Sequence, residues 1–185
     1  GKPLRYGENP HQEGMYYGDL DKLFEQLNGK ELSYNNLLDI DSAINLMNEF
    51  KNPSFGILKH NNACGFCSNN NLEIAWENAL AGDPISAFGG VLITNDTIDL
   101  SVAQKINNLF FEILIANSFS KEALDLLKSK SQRIILKKKN VNLEGMSFRT
   151  ILNGVLCQEQ DFITDNDNLK TVSELNVSKN QMTDL

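Results

Sequence analysis

The clearest pattern in the chain is the stripe Leu37, Ile40, Ile44, Met47 and Phe50, whose apolar residues recur at steps of three and four. An α-helix turns once every 3.6 residues, so this spacing lines one face and predicts an amphipathic helix over 36–50. Pro53 closes that helix, because its ring removes the N–H a helix would use. Ser54 to Leu58 follows as a short buried strand. Leu72 to Leu80 predicts a second helix, stopped by Gly82-Asp83-Pro84. Val91 to Ile93 is expected as a strand, Ser101 to Asn108 as a helix and Glu112 to Ala116 as a strand. Ser120 is placed to cap a helix that carries Ala123, Leu124 and Leu127 on its apolar side. Arg133 to Leu136 and Ile151 to Cys157 are the remaining expected strands.

Strands alternating with helices of about ten residues imply an α/β layered domain with a largely parallel sheet. Ligands in such folds collect beyond the strand ends, among the loops. Two polar, glycine-containing segments fall at such positions and are expected as loops. One is Lys59 to Gly65, after the strand ending at Leu58; the other is Asp83 to Gly90, before the strand at Val91. The densest apolar cluster, around Phe110, Phe111, Leu114 and Phe119, is either core or a surface that another element covers. The polar stretch from Thr164 to Leu185 ends without an expected element, as though the architecture continued beyond it.

Composition narrows the function classes. With 185 residues and 41 % hydrophobic content, the chain has enough apolar material for one core. Its net charge of -7 opposes nucleic-acid binding, which needs clustered Lys and Arg. Lys137-Lys138-Lys139 is too short a run to alter that and is expected at the solvated end of a strand. No segment approaches the roughly 20 apolar residues of a membrane span, and the N-terminus lacks a signal-peptide core. Three cysteines cannot pair completely, which favours a reducing, cytoplasmic setting.

Three segments concentrate chemistry. Arg5-Tyr6-Gly7-Glu8-Asn9-Pro10-His11-Gln12 sets a guanidinium, a phenol and an imidazole among turn-forming residues. Lys59-His60, followed by Asn61-Asn62-Ala63-Cys64-Gly65, offers an ammonium beside a group that titrates near neutrality. Ser86-Ala87-Phe88-Gly89-Gly90 has paired glycines whose N–H groups could face a phosphate or carbonyl. Taken singly, each serves equally well as a turn that satisfies its own polar groups. His11-Gln12-Glu13 with Cys64-Gly65-Phe66-Cys67 also mimics the H-x-E and C-x-x-C halves of a zinc nucleoside or base deaminase. Ala63 stands where that pattern has proline.

Together and in this order, joined by Leu32-Ser33-Tyr34-Asn35-Asn36-Leu37-Leu38-Asp39 and by Ile151 to Gln158, the segments resemble the AICAR transformylase family across essentially the whole chain. The resemblance implies a cytidine-deaminase-like lobe without the zinc. It also implies formyl transfer from 10-formyltetrahydrofolate to the 5-amino group of AICAR, with no metal required. Lys59 and His60 match the catalytic pair. Arg5 and Tyr6 match positions that hold the AICAR nucleotide, Gly89 a nucleotide-contacting backbone position, and Glu112 an acidic residue facing the imidazole. Residues 1–185 would form the first transformylase lobe, inactive alone, with the IMP cyclohydrolase domain and the second lobe lying outside them. A homodimer is the implied assembly. The family has proline after the residue matching Asn62, where this chain has Ala63.

Overall fold

The computed structural model describes residues 1–141, 145–161, 172 and 174–184. They divide into two compact units, Gly1–Val141 and Asn142–Leu185. The first unit begins with β1 (Lys2–Leu4), β2 (Gly14–Tyr16), the single turn α1 (Leu20–Leu23), β3 (Phe24–Asn28) and the long helix α2 (Tyr34–Asn48). A hairpin of β4 (Ser54–Lys59) and β5 (Asn62–Ser68) leads to α3 (Leu72–Gly82), β6 (Gly90–Thr94) and β7 (Thr97–Ile98). Next come α4 (Leu100–Ile106), β8 (Phe111–Ala116), β9 (Ser118–Phe119), α5 (Lys121–Lys128) and β10 (Ile134–Lys138). The second unit contains β11 (Met146–Ile151), β12 (Gly154–Glu159) and α6 (Lys179–Asp184).

Six strands of the first unit form one sheet in the order β3-β10-β8-β6-β4-β5. Its centre, β10, β8 and β6, is parallel, and these strands are near-continuous runs of Ile, Leu and Val because both faces are covered. The expected parallel sheet is therefore only half right. β4 runs antiparallel to β6, β5 antiparallel to β4, and β3 antiparallel to β10. The alternation along β8 assigns the layers. Leu114 packs with Trp76 of α3, Ile106 of α4 and Leu127 of α5, whereas Ile113 and Ile115 pack with Ile40, Ile44 and Met47 of α2. The result is a three-layer α/β unit, with α2 on one face and three helices on the other.

The helix expected over 36–50 runs from Tyr34 to Asn48, started by a capping box between Ser33 and Asn36. Phe50 lies outside it and stacks on Phe66 at 4.2 Å. The expected 59–65 loop is a two-residue turn followed by β5, because Lys59 pairs with Asn62 and Leu58 with Ala63. Ala63 is thus a strand residue, and hairpin pairing supplies the order that a proline would have imposed. In the apolar cluster, Phe111 and Leu114 are buried core and Phe119 packs against it, leaving Phe110 exposed. The lysine run ends β10, as its polarity suggested. In the second unit, the single strand expected over 151–157 is a hairpin, β11 with β12, turning where Leu152 has φ 50°. The polar tail is not featureless. Ser178 and Gln181 exchange side-chain and backbone hydrogen bonds at the start of α6, while residues 162–171, 173 and 185 fall outside the described residues.

Candidate active site

A cleft of about 740 Å³ opens beyond the ends of β4 and β6. Its walls bring together Arg5, Tyr6, Lys59, His60, Gly89 and Glu112, which are far apart in sequence. Each arrives by a local rule. β4 is fully buried from Ser54 to Leu58, and Lys59 is its first residue able to reach solvent. The Lys59 Nζ donates to the Phe88 carbonyl at 2.9 Å, spanning from β4 to the segment that leads into β6. An ammonium has three N–H donors, so two remain for a ligand.

His60 and Asn61 form the β4–β5 turn with φ of 51° and 63°. Two consecutive positive φ values are what a two-residue I′ hairpin turn requires, although such turns prefer Asn and Gly. The turn is tied at two points. Asn62 Nδ2 donates to the His60 carbonyl at 2.9 Å, and the Asn61 N–H donates to Asp39 Oδ1 at 2.9 Å. His60 itself is exposed to the cleft.

The segment before β6 is built on Asp83, whose Oδ1 accepts the N–H groups of Ile85 and Ser86 at 3.2 and 2.9 Å. Hydrogen bonds from Ser86, through its side chain and then its backbone, hold the Asp83 carboxyl below its ordinary range. Gly89 follows with φ 76°, a conformation that glycine adopts without steric cost. The N–H groups of Gly89 and Gly90 are donated internally, to the Phe110 carbonyl at 2.8 Å and the Ala87 carbonyl at 3.1 Å. The glycine pair is therefore no N–H cradle. Gly89 offers bare backbone to the cleft instead.

Glu112 is the second residue of β8 and the one exposed position in that strand. Its Oε2 accepts from Asn36 Nδ2 at 3.3 Å, while Asn36 Oδ1 accepts the Ser33 N–H at 3.2 Å. The buried Asn36 thus starts α2 and orients a carboxylate in the cleft. The N-terminal arm closes on itself through Gly7 N–H to the Gln12 carbonyl at 2.7 Å, and Asn35 Nδ2 ties it to α2 through the Glu8 carbonyl at 3.1 Å. Arg5 and Tyr6 are held over the cleft in this way, whereas His11 is not among its lining residues.

The deaminase alternative does not assemble. Among the described residues no three His, Cys, Asp or Glu side chains gather as a metal site, and Cys64 and Cys67 pack against the core instead. The supporting residues Asn36, Asp39 and Asn61 fall within the segments that carry the resemblance, but the sequence assigned them no role. Asn36 did leave a signal, since it falls on the buried stripe of α2, where Ile40, Ile44 and Met47 are apolar.

The cleft thus combines three cations (Arg5, Lys30 and Lys59), an imidazole, four carboxylates (Glu8, Glu31, Asp39 and Glu112) and exposed backbone, a mixed set of donors and acceptors suited to a polar ligand. Among curated proteins, the chain is 53 % identical over 174 residues to the "Bifunctional purine biosynthesis protein PurH" of Bacteroides thetaiotaomicron, covering 94 % of this chain and 33 % of that protein. Proteins of the same name from Thermoanaerobacter sp. and Lactobacillus delbrueckii subsp. bulgaricus are 39 % and 42 % identical, over 98 % and 88 % of this chain and 37 % and 34 % of theirs. The chain spans about a third of the length of these relatives. The family model described as "AICARFT/IMPCHase bienzyme" matches residues 1–185, and the chain belongs to that family.

Proposed function

We propose that this chain carries the nucleotide-binding and proton-transfer half of an AICAR formyltransferase, acting in purine biosynthesis as part of a larger bifunctional enzyme. The observation that carries this reading is the convergence of Lys59 and His60 with Arg5, Tyr6, Gly89 and Glu112 on one cleft. In the proposed reaction the 5-amino nitrogen of AICAR attacks the formyl carbon of 10-formyltetrahydrofolate. An N–C bond forms, a tetrahedral oxyanion appears, and the bond from that carbon to N10 of the folate breaks.

The amino group is a weak nucleophile because its lone pair is delocalised into the ring. Holding it against the formyl carbon supplies much of the rate, and removing its proton supplies more. His60 receives that proton at the mouth of the turn. Lys59, anchored through one N–H, keeps two donors for the oxyanion and for protonating the departing nitrogen. Arg5 binds the nucleotide phosphate by charge and paired donors. Tyr6 and the bare backbone of Gly89 pack the ligand. Glu112, aimed by Asn36, accepts from the N–H groups of the amino and carboxamide substituents on the heterocycle. The folate contacts, the cyclohydrolase domain and the second lobe belong to the rest of a full-length protein. That protein acts in the cytoplasm as a homodimer, without a metal.

The test is formyl transfer by the full-length protein with AICAR and 10-formyltetrahydrofolate, comparing wild type with Arg5→Ala and His60→Ala. Arg5→Ala is expected to raise the AICAR KM by at least about tenfold, the scale of one charged hydrogen-bonded contact. His60→Ala is expected to lower kcat instead. Wild-type KM in Arg5→Ala together with wild-type kcat in His60→Ala would sink the assignment.

A further inference from the structure

We propose that Asp39 is a positioning residue for the reaction, holding the Lys59–Asn62 turn in the conformation that presents His60 to the substrate. The inference rests on the reading of His60 as the proton acceptor. It begins from an energetic oddity. Neither central residue of the turn is glycine, yet both have positive φ, 51° at His60 and 63° at Asn61. The left-handed region costs most L-residues roughly 1–2 kcal/mol, and His and Asn, though enriched there among non-glycine residues, still favour it less than glycine does. Such conformations persist only where surrounding structure holds them.

Within the hairpin, the Asn62 side chain ties the His60 carbonyl, but both residues belong to the turn and move with it. The tie to something rigid is Asp39, whose Oδ1 accepts the Asn61 N–H at 2.9 Å across 22 residues of sequence. Asp39 stands on α2, at the edge of the face that buried Ile40, Ala43, Ile44 and Met47 anchor against the sheet. A carboxylate accepting a backbone N–H makes a charge-assisted bond, stronger than one between neutral groups. The helix thus acts as a fixed rail and the carboxylate as the clamp. Backbone φ at residue 60 sets the direction of its Cβ, so a turn that relaxes to another type re-aims the imidazole.

The experiment is steady-state kinetics on the full-length enzyme with Asp39→Ala, Asp39→Asn, His60→Ala and the double variant Asp39→Ala/Asn61→Gly. Asp39→Ala is expected to lower kcat by about tenfold to a hundredfold, the scale of a misaimed catalytic group, with the AICAR KM within about threefold. Asp39→Asn keeps an acceptor oxygen and is expected to retain most of kcat. Glycine at 61 removes part of the left-handed cost, so the double variant is expected to recover at least about threefold of the lost kcat. Wild-type kcat in Asp39→Ala, beside a His60→Ala enzyme that is inactive, overturns the positioning role while leaving the assignment of His60 intact. Wild-type kcat in His60→Ala overturns that assignment instead. If Asp39→Asn falls as far as Asp39→Ala, the carboxylate acts through its charge and the clamp is wrong. If Asn61→Gly restores nothing, the loss does not pass through the turn and the clamp is equally wrong. Should Asp39→Ala fail to fold, Asp39→Leu, similar in size and without an acceptor, takes its place with the same expected loss and the same overturning result.

Discussion

The ammonium of Lys59 donates to the carbonyl of Phe88 at 2.9 Å, so the last residue of one strand is fastened to the segment that begins its neighbour. This bond fixes where the charge sits, and it leaves His60, the next residue, at the tip of a turn. The two adjacent residues therefore have separate supports, Lys59 through the Phe88 carbonyl and His60 through the turn that Asp39 holds.

Separate supports predict separable losses. In the full-length enzyme, Lys59→Ala and His60→Ala are each expected to lower kcat by at least about a hundredfold, the usual scale for a group that moves protons. Lys59→Arg is expected to recover little, because a planar guanidinium does not reproduce the ammonium's position. Single-turnover formyl transfer measures this directly, and near-wild-type rates in either alanine variant would remove that residue from the chemistry.

Asn36→Asp, compared with the double variant Asn36→Asp/Glu112→Gln, isolates the contact with Glu112. Aspartate keeps the acceptor oxygen of the capping box but sets a second carboxylate against Oε2, 3.3 Å from the present amide nitrogen. Like charges that close raise a carboxylate pKa in the folded state. The penalty is therefore absent at pH below the ordinary carboxylate range near 4 and grows as pH rises through the raised value. Urea unfolding is expected to show a loss of about 1–2 kcal/mol at pH 7 relative to wild type. That loss should shrink on acidification. An equally large pH-dependent loss in the Glu112→Gln background would mean that the charge at position 36 feels only its burial and not Glu112.

Two glycines, one packed on α3 and one lining the cleft, are expected to respond unequally to alanine. At Gly65 of β5, a Cβ would run into the Ala79 carbonyl of α3, where helix and strand backbones lie in contact. Gly65→Ala is expected to cost about 3 kcal/mol or more, since backbone has no rotamer with which to yield. At Gly89 a Cβ would meet the Phe110 ring at an ordinary 3.6 Å, and only φ of 76° resists it. Gly89→Ala is expected to cost only about 1–2 kcal/mol of stability. Because Gly89 lines the cleft, its AICAR KM should nevertheless rise. Thermal unfolding of the two variants side by side checks the order.

The cysteines differ in environment. Burial, and then the Asp83 carboxylate, push the Cys64 thiol above its ordinary value, and the Lys59 ammonium offsets part of that rise. Cys157 is exposed on β12. The nucleophile is the thiolate, so Cys64 is expected to alkylate far more slowly than Cys157 at pH 8 and to accelerate only at higher pH. Lys59→Ala should slow Cys64 further by removing the favourable charge. Mass spectrometry after timed iodoacetamide exposure follows both sites, and equal rates would contradict the burial of Cys64.

By itself the sequence determined the elements whose signal is local. The stripe from Leu37 to Met47 read as a helix face, the Val91–Ile93 and Glu112–Ala116 runs read as strands, and Ser120 marked a cap, because periodicity and capping act within a few residues. The ordered set of motifs likewise carried the family and its expected site residues. Only tertiary structure decided what depends on partners distant in sequence. Strand direction was one such matter: β4 runs against the parallel centre, and β5 turns back against β4 because a two-residue turn can join only antiparallel strands, and nothing in Lys59 to Gly65 announced that turn without Gly at its tip. The missing strand β3 was another, since Phe24–Asn28 becomes a strand by pairing with β10 more than 100 residues later. The supporting shell was the third. Asn36 and Asp39 look like ordinary polar positions of a helix until folding sets Glu112 and Asn61 against them, because a hydrogen bond between residues 76 or 22 apart has no periodicity to reveal it.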